Sequence, residues 1–151
     1  MQVYITQIIA AGIAAFGFGA LFKLPPKRLP VIALGGMAGW FVYILATAVG
    51  GLSYFNGLFL GALFIAILSE VLARVLRTPT IVFIVPMLIP LVPGGDLFHM
   101  MTNLVTEQEE AFTESLHLVF AAAGAIALAI MVVSAVVSVI TAVRRRSNKQ
   151  R

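Results

Sequence analysis

The sequence contains no cysteine. That excludes a disulfide framework, a thiolate metal site and a thiol nucleophile, and it removes the usual cue to redox compartment. Charge is scarce too: Asp, Glu, Lys and Arg make up 11% of the 151 residues, against roughly a quarter in an ordinary soluble domain. No Gly-rich phosphate loop follows a predicted strand, so an ATP-driven pump would need another subunit. Ser53, Ser69, Ser115, Ser134 and Ser138 have no His or acid at the spacing of a known nucleophile motif, so catalysis is not supported, and no cofactor is called for. What remains is apolar: 61% of the residues are hydrophobic and the mean hydropathy is +1.06. The solvent for such a chain is lipid, and the expected fold is an all-α polytopic membrane helix bundle of about five transmembrane helices.

The formal charge is +4, yet the cations cap apolar runs and are not interleaved with aromatics on a polar face. They read as topology signals and not as a nucleic-acid surface. The first run, residues 4–22, is long enough to cross a hydrocarbon core about 30 Å thick. No Lys or Arg precedes it, so it lacks the charged start of a secretory leader and is expected to be a retained helix. A turn with three prolines and three cations, residues 23–30, closes a hairpin. Further runs cover residues 31–49, ending at Gly50 and Gly51, and residues 56–76, ending at Arg74 and Arg77.

The fourth run, residues 80–93, is short and broken by Pro86, Pro90 and Pro93. Taken alone it fits a re-entrant segment or a kinked crossing. Lys- and Arg-rich loops collect on the cytoplasmic face. The 23–28 turn, the Arg74/Arg77 end and the triple arginine Arg144, Arg145 and Arg146 share one face only if residues 80–93 cross. Five spans follow, the last at residues 116–143, with the amino terminus outside and a basic cytoplasmic tail at 144–151. The outer segment 94–115 then carries Asp96, Glu107, Glu109, Glu110 and Glu114, all but one of the six acids. Thr106 and Glu109 have capping-box spacing, which predicts a helix start there.

Several features carry chemistry. Gly35-x-x-x-Gly39, Gly57-x-x-x-Gly61 and the small stretch around Gly124 permit close helix packing, within this chain or against a partner. The prolines deprive carbonyls one turn earlier of donors, a defect tolerated in lipid only against protein or a watery cavity. Broken helices of this kind form the sites of many transporters. Pro86, Pro90, Pro93, Gly94 and Gly95 are therefore candidates for substrate binding or gating; a plain proline kink is the other reading. Glu70, the one acid inside an apolar run, is either a coupling group or an ion pair with Arg74, one turn on; Asp96, beside the double glycine, is a further coupling candidate. Glu114-x-x-His117 has metal-pair spacing, but one copy fits an interfacial cap better, and no metal site is expected.

The run Pro86-Met-Leu-Ile-Pro-Leu-Val-Pro-Gly-Gly95, preceded by Arg74-Val-Leu-Arg-Thr-Pro79 and an early Phe22-Lys-Leu-Pro-Pro-Lys-Arg28 hairpin, resembles the threonine/serine exporter family over nearly the whole chain. More narrowly it resembles the small subunit of the split two-gene form, equivalent to the carboxyl-terminal membrane half of single-chain exporters. The resemblance implies a secondary exporter of small polar metabolites in a bacterial inner membrane, working with a larger membrane subunit. Threonine and serine are the implied substrates, and a related split pair is associated with a dicarboxylate, succinate. The family motif maps onto Pro86, Pro90, Pro93, Gly94 and Gly95 only; the acidic stretch 107–114 departs from it. An odd number of spans would place a homologous half inverted in the membrane, as in many secondary transporters, with proton motive force as the driver. A non-transporting accessory subunit and an intramembrane enzyme relying on Glu70, Glu114 or His117 are the competing classes.

Overall fold

The computed structural model describes residues 2–149, and side chains through residue 143. Six helices account for most of the described chain: α1 Gln2–Leu21, α2 Leu29–Ile44, α3 Tyr54–Val75, α4 Ile81–Leu88, α5 Gly94–Val105 and α6 Glu109–Lys149. There is no strand among the described residues. Pro26 starts a single 3-10 turn that leads into α2, and α2 continues through a π-helical turn, Leu45–Val49. Four of these helical segments are long and apolar enough to cross a membrane. The segments Ile81–Leu91 and Gly94–Val105, meeting at 54°, make a fifth if they count as one broken span. Of the basic tail, the side chains of residues 144–149 and all of residues 150–151 lie outside the described residues.

Three helix ends use one device. Leu24 N–H bonds the Gly19 carbonyl at 3.1 Å, Thr78 that of Ala73 at 2.9 Å, and Gln108 that of Asn103 at 2.9 Å. Each is the six-to-one bond of a Schellman turn, which needs a left-handed residue. Lys23, Arg77 and Glu107 fill that position with φ of 55°, 48° and 55°, although none is the glycine that the conformation favours.

The short hairpin turns set helix direction. α1 and α2 pack against each other, as do α2 and α3, so the 23–28 turn and Arg77 share one end of the bundle, the basic end. α4 then returns between α1, α2 and α3. It is the most enclosed element: Phe83 and Met87 are fully buried, and Pro86 nearly so. The glycine motifs make room for it. A Cβ on Gly35 would overlap Met87, one on Gly39 would overlap Ile65, and one on Gly61 would stand 3.1 Å from the Gly39 carbonyl oxygen and 2.8 Å from Leu91. The packing reading of both motifs therefore applies within the chain, whereas Gly124 faces open space.

The proline-broken segment is tied to α3 at both ends. Thr80 donates to Glu70 Oε1 at 3.0 Å, and Tyr54 donates to Asp96 Oδ2 at 2.6 Å. Glu70 lies sixteen residues after Tyr54 on α3, about 24 Å at 1.5 Å per residue. Residues 80–96 therefore run antiparallel to α3 over most of its length and do not double back.

The segment expected as an outer polar loop, residues 94–115, is mostly helical. Leu97, Phe98, Met101 and Leu104 recur at helical spacing, and Asp96 occupies the first turn, where the helix dipole favours an acid. α5 packs on the first turns of α6, with Asn103 Nδ2 donating to Ser115 Oγ at 3.2 Å. α6 does begin at Glu109, but the expected capping box does not form. The Thr106 hydroxyl bonds back to the Thr102 carbonyl at 2.9 Å, closing α5.

Candidate functional site

The break between α4 and α5 occupies two residues, Val92 and Pro93, with φ, ψ of −64°, 131° and −74°, 62°. A 3-10 turn, Ile89–Leu91, precedes it, started by Pro90. Pro93 removes one donor and its side chain offers no cap. Gly94 N–H bonds the Val92 carbonyl at 2.7 Å, while the N–H groups of Gly95 and Asp96 have no partner among the described residues. The Ile89 carbonyl, which Pro93 cannot serve, is taken by Val92 N–H at 3.1 Å, while the carbonyls of Pro90 and Leu91 have no backbone partner among the described residues.

A cavity of about 200 Å³ opens at this break, walled by Trp40 and Tyr43 of α2, Tyr54 and Leu58 of α3, and residues 90–96. Sequence reasoning assembled one wall, Pro90, Pro93, Gly94, Gly95 and Asp96, and missed the facing one. Trp40, Tyr43 and Tyr54 stack along it: the Trp40 and Tyr43 rings are 5.1 Å apart, and those of Tyr43 and Tyr54 6.5 Å, edge to face. The signal was present in the sequence. Of one Trp and three Tyr, three flank the 45–53 turn, a pattern that also marks an interfacial aromatic belt.

Trp40 Nε1 is buried with no hydrogen-bond partner, the only such side-chain atom among the described residues. Asp96 is the one charged group in the lining, and no Lys, Arg or His shares it. Trp40 and Pro90 also border a second depression of about 260 Å³ on the α1 side, with Gln7, Ala10, Ala11 and Ala14.

The other singled-out residues lie elsewhere. Pro86 is in the core under α1, α2 and α3. Glu70 accepts from Thr80 and lies 3.9 Å from Arg74 Nε, at the basic end. Glu114 and His117 border an open groove with Glu109, Glu110 and Thr113; no group of three or more potential metal ligands converges among the described residues.

A family model described as Threonine/Serine exporter, ThrE, matches residues 7–136. No solved structure matches the chain.

Proposed function

The chain belongs to the threonine/serine exporter family, and from that premise we propose that it forms half of a secondary exporter, acting with a larger membrane subunit that supplies the other half. The observation that carries this reading is the small cavity at the α4–α5 break, with Asp96 in its lining. At about 200 Å³ it is smaller than the roughly 300–1,000 Å³ of drug-sized ligand sites, a size suited to threonine or serine. Its wall combines irregular backbone with an acid, the arrangement membrane interiors tolerate where a polar solute passes.

With the basic end cytoplasmic, the amino terminus faces outward and the cavity lies toward the outer face. The partner half covers the α1, Trp40 and Pro90 side, where the exposed Gln7 borders the second depression. Alternating access then consists of rocking the two halves about the break, driven by proton motive force. Glu70 serves as a tie between α3 and the start of α4, not as a coupling group.

Deleting the chain is expected to abolish threonine and serine efflux from loaded cells, and the larger subunit is expected to co-purify with it. Loss of succinate efflux instead would move the substrate class to dicarboxylates. Cysteine scanning of residues 84–95 is expected to show positions at the break that react with a water-soluble reagent at membrane depth, with Met87 protected. Uniform protection, with efflux intact after deletion, would leave a non-transporting accessory subunit.

A further inference from the structure

We infer that the groove between α3 and α6, toward the basic end of the bundle, binds one anionic phospholipid, with an acyl chain in the groove and the headgroup phosphate on Arg74. The groove has a volume of about 460 Å³ and runs from Leu63 to Arg74 on α3 and from Val132 to Ile140 on α6. Between Val132 and Ile140 the axis of α6 rises about 12 Å. Spread over that length, about 460 Å³ leaves a cross-section of about 40 Å², roughly half that of a helix about 10 Å across. One hydrocarbon chain fits such a slot, whereas a helix of another protein would stay outside it.

The lining changes polarity along its length as a lipid does. Apart from Glu70 and Arg74 it is entirely Leu, Ile and Val, and those two lie near the end of α3. Arg74 is half exposed, and its contact with Glu70, Nε to Oε2 at 3.9 Å, is too long for a hydrogen bond. Among the described residues Arg74 has no other ion pair, so its donors are left for a phosphate, which a guanidinium matches in two-pronged fashion. Glu70 is already engaged, since its Oε1 accepts from Thr80 at 3.0 Å. Arg77 is exposed nearby, and α6 carries Arg144, Arg145 and Arg146 just past Ile140, so positive charge outweighs Glu70 at this end. Basic pockets between membrane helices are matched to anionic headgroups, and a zwitterionic headgroup would bring its own cation to the same cluster.

The test uses membrane vesicles from cells expressing the full chain, so that any partner subunit stays in place. They are supplied with phosphatidylglycerol or phosphatidylcholine carrying a diazirine midway along one acyl chain. After illumination, peptide mass spectrometry is expected to find label on Ile67, Val71 and Val136 at least fivefold more often with phosphatidylglycerol. Leu34 of α2, exposed outside the groove, is expected to be labelled equally by the two lipids. Arg74→Gln is expected to abolish the preference, and Arg74→Lys to keep part of it. Because Arg74→Gln also removes the contact with Glu70, Val136→Phe provides a second test. At an exposed position it fills the groove without touching the charges, and it is expected to cut labelling of Ile67 and Val71 at least fivefold while sparing Leu34. Equal groove labelling by both lipids would mean bulk lipid only, and none by either would mean that a protein segment covers the groove; each result overturns the assignment. An unchanged preference in Arg74→Gln, or undiminished labelling in Val136→Phe, would overturn it too. The exporter reading stands apart from all of these, since it is decided by threonine and serine efflux.

Discussion

Glu70, the one acid inside an apolar run, meets two partners, Thr80 and Arg74. Its carboxylate is three-quarters buried, accepts from Thr80 at 3.0 Å and sits 3.9 Å from Arg74, itself half exposed. A pair so open to solvent contributes on the order of 0–1 kcal/mol, whereas the Thr80 bond fixes where α4 begins. Glu70→Gln keeps an acceptor for that hydroxyl and is expected to retain efflux within about twofold, by radiolabelled-threonine export; abolition would restore it as a coupling group. Gly39 has a sharper requirement. Any side chain there collides with Ile65, so Gly39→Leu is expected to destabilise by about 1–3 kcal/mol, as overpacking does, and to lower the thermal midpoint in detergent. Gly124→Leu, facing open space, is expected to leave it nearly unchanged. Glu107, left-handed at φ 55°, predicts the opposite sign: Glu107→Gly is expected to raise the midpoint, by up to about 1 kcal/mol in stability.

Among the elements, the one interrupted at Val92 and Pro93 is where the proposed rocking would bend the chain. Glycine stands at two successive positions opening α5. Each would gain about 0.5–1 kcal/mol of helix stability as alanine, and the space around both is free. Gly95→Ala is therefore expected to raise thermal stability while slowing threonine efflux several-fold. Faster or unchanged export would argue that the hinge does not move. The element's boundaries also show what hydropathy can and cannot convey. Lipid forces every backbone group into internal hydrogen bonds, so the apolar runs reduce to helices almost by composition; of the three prolines expected to break the fourth run, Pro86 lies inside α4 and the chain breaks only at Pro90 and Pro93. α5 escaped notice because its flanking acids dominated residues 94–115, although Leu97, Phe98, Met101 and Leu104 already lay on one helical face. The Schellman ends escaped for a different reason: Lys23, Arg77 and Glu107 stand where glycine is the legible signal. The cavity's aromatic wall depends on how α2 crosses α3 at Gly39 and Gly61, a tertiary fact that one helix's pattern does not contain.

At the scale of the whole molecule, everything about transport depends on which surfaces share a compartment. Thr80 at the level of Glu70 and Asp96 at the level of Tyr54 place the two ends of the broken segment about 24 Å apart along α3. That is most of a hydrocarbon core about 30 Å thick, so the segment is long enough to carry the chain from the basic end to the acidic one. The natural absence of cysteine makes this directly measurable, since a single introduced thiol needs no background removed. Lys27→Cys and Arg77→Cys are expected to be labelled only from the cytoplasmic side of oriented vesicles. Thr102→Cys and Thr113→Cys, on the α5–α6 hairpin, are expected to be labelled only from the outside. Both turn positions sit beside cations that the cytoplasmic face attracts, and both hairpin positions are exposed beside the acidic cluster. If all four thiols reacted from one side, the broken segment would have to return to the face it left. The cavity at its tip would then open to a single compartment, and a rocking exporter with this chain as half of its pathway would have no second face to reach.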